Sequence, residues 1–300
     1  MEFKYNVNKL SSSYNFDITG VSYVGNPLNN TVMYVTKKVE TLVKNIGVNS
    51  NCLIFIEDGA YIPEELKKNN LFVSTKNPQK DYAEFVMQMD KIIIENNKSR
   101  KYELTEGGYY IGENVQIGEN TKIEPLAFID HDVVIGKNSY IKTGATIRNC
   151  VAGDGLVACE RCTIGTYGFT MMVDDNGDRQ RIPTLGKVII ENNVEVGALT
   201  NISCGSAGNT ILKSNSKIDS LVHVGHDVCI DESVEIAAGA IIGGFAVIKK
   251  NTFVGINSAI RNRKEVGINS YIGMSSAVVN DVADNNVVIG VPAKFLRENK

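Results

Sequence analysis

The sequence predicts a mainly β protein: a solenoid of short strands, preceded by a small α/β domain. Three observations carry that expectation. Going up in sixes from Ile218, the chain places Val224, Ile230, Ile236, Ile242, Ile248, Val254, Ile260, Val266, Ile272 and Val278 without a slip. The same spacing runs earlier through Ile111, Ile117, Ile123, Ile129, Ile135, Ile141 and Ile147. A period of six belongs neither to a helix nor to an open strand, and fits a short strand plus a corner repeated along a stack. The first hundred residues lack this period and alternate apolar runs with one long amphipathic segment.

In the solenoid, each β-branched residue takes a buried strand position, with small or polar residues at the corners (Gly225, Gly243, Gly255, Gly267, Gly273). No unit buries its own apolar face, so each rung is stabilised by the rungs above and below. The register weakens from Val151 to Thr163, resumes at Val188, and is irregular again from Ser203 to Ser216. Between them lies an insertion, residues 166–187, of mixed charge with Gly177 in a turn. Long insertions in regular solenoids usually carry binding.

The leading domain is expected over residues 1–95. Strands are predicted from Phe16 to Val24, Val32 to Val35, Cys52 to Glu57 and Leu71 to Ser74. A short helix is expected from Tyr61 to Lys68, and a longer one from Pro78 to about Glu95 with Tyr82, Phe85, Val86 and Met89 on one face. A polar linker, residues 96–107, joins it to a solenoid over residues 108–284. Residues 285–300 leave the period and are expected to form a short strand and a capping helix.

The 300 residues are 43% hydrophobic and 22% charged, with a formal net charge of −3. That balance gives no attraction to nucleic acid or membrane surfaces. No segment reads as a signal peptide or a membrane span, so a cytoplasmic location is expected. The six cysteines point to no disulfide framework. Cys159-Glu-Arg-Cys162 has the spacing of half a zinc site, but no second pair accompanies it; small buried thiols are the expectation, with no metal site.

Read as [Ile/Val]-[Gly/Asp/Ala]-x-x-[small]-x, the repeat resembles that of the hexapeptide-repeat acyltransferases. Over nearly the full length the chain is similar to the UDP-3-O-acylglucosamine N-acyltransferase family of lipid A synthesis. The likeness is carried by Gly165-Thr-Tyr-Gly-Phe169 through Arg181-Ile-Pro183 and by Lys217-Ile-Asp219 with Gly225-His226-Asp-Val228. Ile18-Thr-Gly-Val21 and Asn77-Pro78 add to it. The chain departs from the family pattern at Ser203-Cys-Gly205, at Arg263 and at Thr36-Lys37. Its C-terminal half, through Gly290-Val-Pro-Ala-Lys294, is also similar to acetyl-CoA-dependent sugar O- and N-acetyltransferases.

The resemblance implies a left-handed parallel β-helix with three hexapeptides per coil, assembled as a homotrimer. It implies acyl transfer from acyl-CoA or an acyl carrier protein to the amine of a nucleotide-linked amino sugar, with no tightly bound cofactor. Of the three histidines, His131, His223 and His226, the resemblance marks His226 as the base. Eighteen residues on, one coil higher, stands Gly244, whose N–H is the expected oxyanion donor. Asp219 matches the family's acidic partner, although a corner aspartate bonded to its own backbone explains it equally. By resemblance Tyr34, Phe169 and Arg181 line the acceptor site. Lys249, Lys250, Arg263 and Lys294 are candidates for the acyl donor's phosphates or an acidic carrier face, although exposed charge is more often plain solvation. A tetrahydrodipicolinate-type acyltransferase and a silent scaffold are the remaining alternatives.

Overall fold

The computed structural model describes residues 3–48, 51–174 and 176–299. Lys300, the last residue of the expected cap, lies outside the described residues. The chain divides into two compact units: residues 1–99 with 169–186 and 206–208, and residues 100–168 with 187–205 and 209–300.

The second unit is a parallel β-helix of three sheets. Face I has ten strands, running from Lys122–Ile123 through Lys217–Ile218 to Asn286–Ile289 and Lys294–Glu298. Face II, also of ten strands, includes Thr146–Ile147, His223–Val224 and Ala277–Val278. Face III has eight, among them Val134–Ile135 and Cys229–Ile230. Parallel partners in the regular coils are eighteen residues apart: Lys217 with Glu235, His223 with Ile241, Cys229 with Val247. Each two-residue strand sends its second side chain inward, so Ile218, Val224, Ile230, Ile236 and Ile242 are at most 2% exposed. Replacing one of them by alanine would cost roughly 2–5 kcal/mol, because neighbouring rungs hold the cavity open.

Every regular corner contains a residue in the left-handed region, and asparagine or glycine serves most of them. The corner between faces II and III instead carries Asp227 (φ 59), Phe245 (φ 61) and Arg263 (φ 59), one above another.

The solenoid also starts and ends differently from expectation. Glu103–Leu104 pairs antiparallel with Tyr110–Ile111, so part of the expected linker closes the first coil. Arg100 makes two hydrogen bonds to the Asp132 carboxylate (2.6 and 3.0 Å) and Tyr102 stacks on His131 at 4.4 Å. At the other end the expected capping helix is absent. Lys294–Glu298 is a strand, antiparallel to Asn286–Ile289, because the open edge of face I offers backbone partners that a helix would leave unused.

The first unit holds a four-stranded parallel sheet: Gly20–Val21, Thr31–Val35, Cys52–Glu57 and Asn70–Thr75. Helix α1, Pro78–Asn97, starts at a proline behind an Asn77 cap and buries Tyr82, Phe85, Val86 and Met89. The helix expected at Tyr61–Lys68 is only a 3₁₀ turn, Glu64–Lys68. A second 3₁₀ stretch, Lys37–Val48, kinks at Val39.

The insertion is a hairpin of Met171–Val173 and Arg179–Arg181. Met172 and Ile182 bury into the first unit's core with Leu53, Tyr82 and Met89. Because the hairpin contributes two side chains to this core, it is partly structural.

Candidate active site

His226 occupies the corner between faces II and III, two residues past the strand His223–Val224. Its side chain is 16% exposed. Nδ1 lies 2.8 Å from Asp227 Oδ2, whose side chain is only 2% exposed. A carboxylate accepts, so Nδ1 carries the proton in this contact and Nε2 keeps its lone pair. Asp227 is fixed in turn: its backbone N–H donates to the Thr210 hydroxyl at 2.9 Å, and Thr210 is wholly buried.

Two glycines enclose the ring. A Cβ on Gly168 would stand 2.8 Å from the His226 Cβ, and one on Gly244 would stand 2.8 Å from Nε2. Only a residue without a side chain lets these backbones approach the imidazole so closely. Gly225, the residue before His226, has the same constraint: a Cβ there would meet the Gly244 nitrogen at 2.7 Å. The Gly244 carbonyl accepts from Arg263 N–H at 3.0 Å, and Phe245 N–H donates to the His226 carbonyl at 2.9 Å. No hydrogen bond from the Gly244 N–H is found among the described residues.

Phe245 was not anticipated. Its ring meets the His226 ring edge-on, centroids 5.3 Å apart at 88°, and the Arg263 guanidinium lies 4.1 Å above its centroid. Coil arithmetic would have found it, since nineteen residues past His226 is the left-handed position of the next rung. His223 stands on face II beside Asn201 and Ile241. Its pKa lies below the ordinary imidazole value, from desolvation first and the charge of His226 second.

Asp219 and His226 stand on different corners of the chain. Asp219 follows the face I strand Lys217–Ile218, so it turns the preceding corner, and its carboxylate accepts from Ser220 N–H at 2.7 Å. It lines a shallow face I cavity of about 280 Å³ with Glu195, Lys217, Glu235 and Phe253. The carboxylate that meets the imidazole is Asp227, which the sequence reading passed over.

Phe169 and Arg181 meet on the hairpin, the guanidinium 5.2 Å from a ring that is 74% exposed. Tyr34 is half-buried in the first unit's sheet, 5.2 Å from Tyr82. The four basic residues do not form one patch. Lys249 pairs with Glu265 at 2.6 Å and Lys250 with Glu232 at 2.7 Å, both past a face III strand. Arg263 stands past a face II strand, and Lys294 begins the C-terminal strand.

Cys159 and Cys162 are buried, and burial pushes the Cys162 thiol up to about 12. Among the described residues no group of three or more His, Cys, Asp or Glu side chains is placed to hold a metal ion.

A three-sided stack of hexapeptides with a histidine–aspartate corner under a bare glycine defines the class: a hexapeptide-repeat left-handed parallel β-helix. The family model described as bacterial transferase hexapeptide (six repeats) matches residues 114–149. Within that class the chain resembles UDP-3-O-acylglucosamine N-acyltransferases. It is 32% identical over 154 residues to the one from Methylorubrum extorquens (strain PA1), covering 51% of this chain and 44% of that protein. To UDP-3-O-acylglucosamine N-acyltransferase 2 of Legionella pneumophila (strain Paris) it is 29% identical over 290 residues, covering 86% of this chain and 83% of that protein. The aligned part thus spans less than half the length of the Methylorubrum relative. In fold it matches the structure of a UDP-N-acetylglucosamine acyltransferase from Campylobacter jejuni. The TM-score is 0.58 at 23% identity, over 64% of this chain and 73% of that one.

Proposed function

We propose that this protein is an acyltransferase that moves an acyl group from a thioester to the amine of a nucleotide-linked amino sugar. The observation that supports this most is the His226 Nε2 lone pair facing the Gly244 backbone, with Asp227 on the opposite nitrogen. The names of the Methylorubrum and Legionella relatives point to the same substrate class, UDP-linked acylglucosamine, and so to lipid A or surface glycan synthesis.

The acceptor amine attacks the thioester carbonyl carbon while His226 Nε2 takes its proton. The Gly244 N–H donates to the oxyanion of the tetrahedral intermediate. Asp227 steadies the imidazolium, as a buried carboxylate does in other acyl-transfer sites. The intermediate collapses, the carbon–sulfur bond breaks, and the imidazolium returns its proton to the thiolate. Phe169, Arg181 and Tyr34 serve the acceptor. Lys249, Lys250 and Lys294 serve the donor, coenzyme A or an acyl carrier protein, the first two by exchanging their present carboxylate partners for phosphate.

The working form is inferred to be a homotrimer. Six consecutive outward positions of face III are apolar (Val134, Val151, Ile189, Ile211, Cys229, Val247) and only half-buried within one chain, between Gln116 and Glu265 on its end strands, a strip suited to a second copy. Among the described residues no helix is long and apolar enough to cross a membrane, and we place the reaction in the cytoplasm, where its donors are made.

The test is a mass-spectrometric screen of acyl-CoA and acyl carrier protein donors against UDP-, dTDP- and GDP-amino sugars, with thiol release as a second readout. Amide formation that depends on His226 is expected. Ester formation would favour the sugar O-acetyltransferase reading, and no transfer with any pair would leave a scaffold.

A further inference from the structure

Three stacked groups rise from the imidazole along the corner between faces II and III. The Phe245 and His226 rings meet T-shaped with centroids 5.3 Å apart, and the Arg263 guanidinium lies 4.1 Å from the Phe245 centroid. Both residues occupy left-handed corner positions (φ 61 and 59), which directs them one above the other, a coil apart. Arg263 is further tied by its own N–H to the Gly244 carbonyl at 3.0 Å, and hence to the peptide beside Nε2. Unlike Lys249, Lys250 and Lys264, which pair with Glu265, Glu232 and Asp281, Arg263 has no carboxylate within ion-pair distance among the described residues. Its charge is directed to an aromatic face, which attracts a guanidinium more than a compact ammonium.

We propose that Phe245 and Arg263 form a buttress that fixes the plane of the His226 imidazole, Arg263 being a positioning residue that acts through Phe245. Gly168 and Gly244 bound the ring from two sides but have no side chains to stop it swinging. Asp227 restrains the ring at Nδ1. A perpendicular aromatic ring adds a wall to that restraint, and the guanidinium over the aromatic ring holds the wall in turn. The catalytic consequence rests on the acyl-transfer reading; the ring's immobility does not.

The experiment uses the full chain. With only three histidines, imidazole ¹³C–¹H spectra of protein labelled at histidine Cε1 give three signals, and the His226→Ala variant assigns one of them. Phe245→Leu should fold, since leucine already takes left-handed corners at Leu126, Leu199 and Leu221. In Phe245→Leu and Arg263→Gln the His226 signal should shift and broaden while that of His131 stays in place. Arg263→Lys, which keeps charge but loses the planar stack, should show the same change to a smaller extent. An unchanged His226 signal in Phe245→Leu and Arg263→Gln would overturn the buttress whether or not the protein transfers acyl groups. In turnover assays the expected loss is in kcat, roughly 10- to 100-fold in Phe245→Leu, with KM for the donor held within about twofold. A raised donor KM with normal kcat in Arg263→Gln would make Arg263 a donor contact and end its role as a positioning residue.

Discussion

A methyl group added to Gly244 would stand 2.8 Å from Nε2 of His226. The peptide of one coil therefore lies directly against the basic nitrogen of the coil below, with no side chain between them. Gly112 approaches the Nδ1 of His131 in a similar way, at 2.6 Å for an added Cβ, but that nitrogen accepts from the Glu113 N–H and the ring is covered by Tyr102.

Gly244→Ala should fold, because the added methyl meets the His226 imidazole and not backbone. Turnover should fall by roughly 10²–10³ as the ring leaves its place and the oxyanion donor is shielded. Circular dichroism melting alongside steady-state rates checks both halves, and a variant with normal rates removes Gly244 from the chemistry.

Asp227 and Asp219 make opposite predictions. Asp227→Asn loses the acceptor that selects the imidazole tautomer, and should lower kcat by at least tenfold with little change in KM. Asp219→Asn, at a different corner and bonded to Ser220, should retain kcat within about threefold. The reverse outcome in a side-by-side kcat comparison would restore Asp219 as the orienting acid.

Gly165→Ala tests the coil geometry rather than the chemistry. Gly165 has φ +85, and a Cβ there would overlap the Arg148 carbonyl oxygen. Backbone must move, so the variant should be destabilised by about 3 kcal/mol or more, read as an earlier denaturation midpoint.

Acid should weaken the first coil through His131. Its pKa lies below the ordinary imidazole value because of desolvation first and Arg100 second, against the opposing pull of Asp130, Glu113 and Asp132. The unfolded chain binds this proton more readily, so stability rises with pH across the interval between the lowered folded value and about 6.5. It is lost as pH falls through that interval, when protonation of Nδ1 removes the acceptor for Glu113 N–H. The Arg100 guanidinium holds the Asp132 carboxyl well below the usual carboxylate range, so that contribution is lost only in stronger acid. Thermal melts between pH 5 and 8 should show a shallower slope in His131→Asn than in wild type. Part of the slope remains from His223, whose pKa is also lowered.

The sequence made the solenoid legible because its signal is redundant: the inward residue of each rung from Ile218 to Val278 is buried, and each confirms the next. Strands such as Cys52–Glu57 and helix α1 were legible for the ordinary reasons of apolar runs and a Pro cap. What failed was placement across corners. Asp219, matched by family resemblance, lies six residues before Gly225, one corner earlier on the prism and so on a different edge from His226. The basic residues dispersed for the same reason. At the C-terminus, Lys294–Glu298 carries helix-compatible residues, but the unpaired edge of face I decided its conformation. A propensity of a few tenths of a kcal/mol per residue does not outweigh backbone pairing of that kind. Phe245 went unread because a phenylalanine at positive φ is rare outside such corners.

The most direct test follows amide product by mass spectrometry with a UDP-amino sugar and an acyl thioester, comparing wild type, His226→Ala and the solvent background. The His226→Ala protein should melt as wild type does, yet form product roughly 10²–10⁴ times more slowly. Equal rates in the two folded proteins would contradict the assignment of His226 as the base.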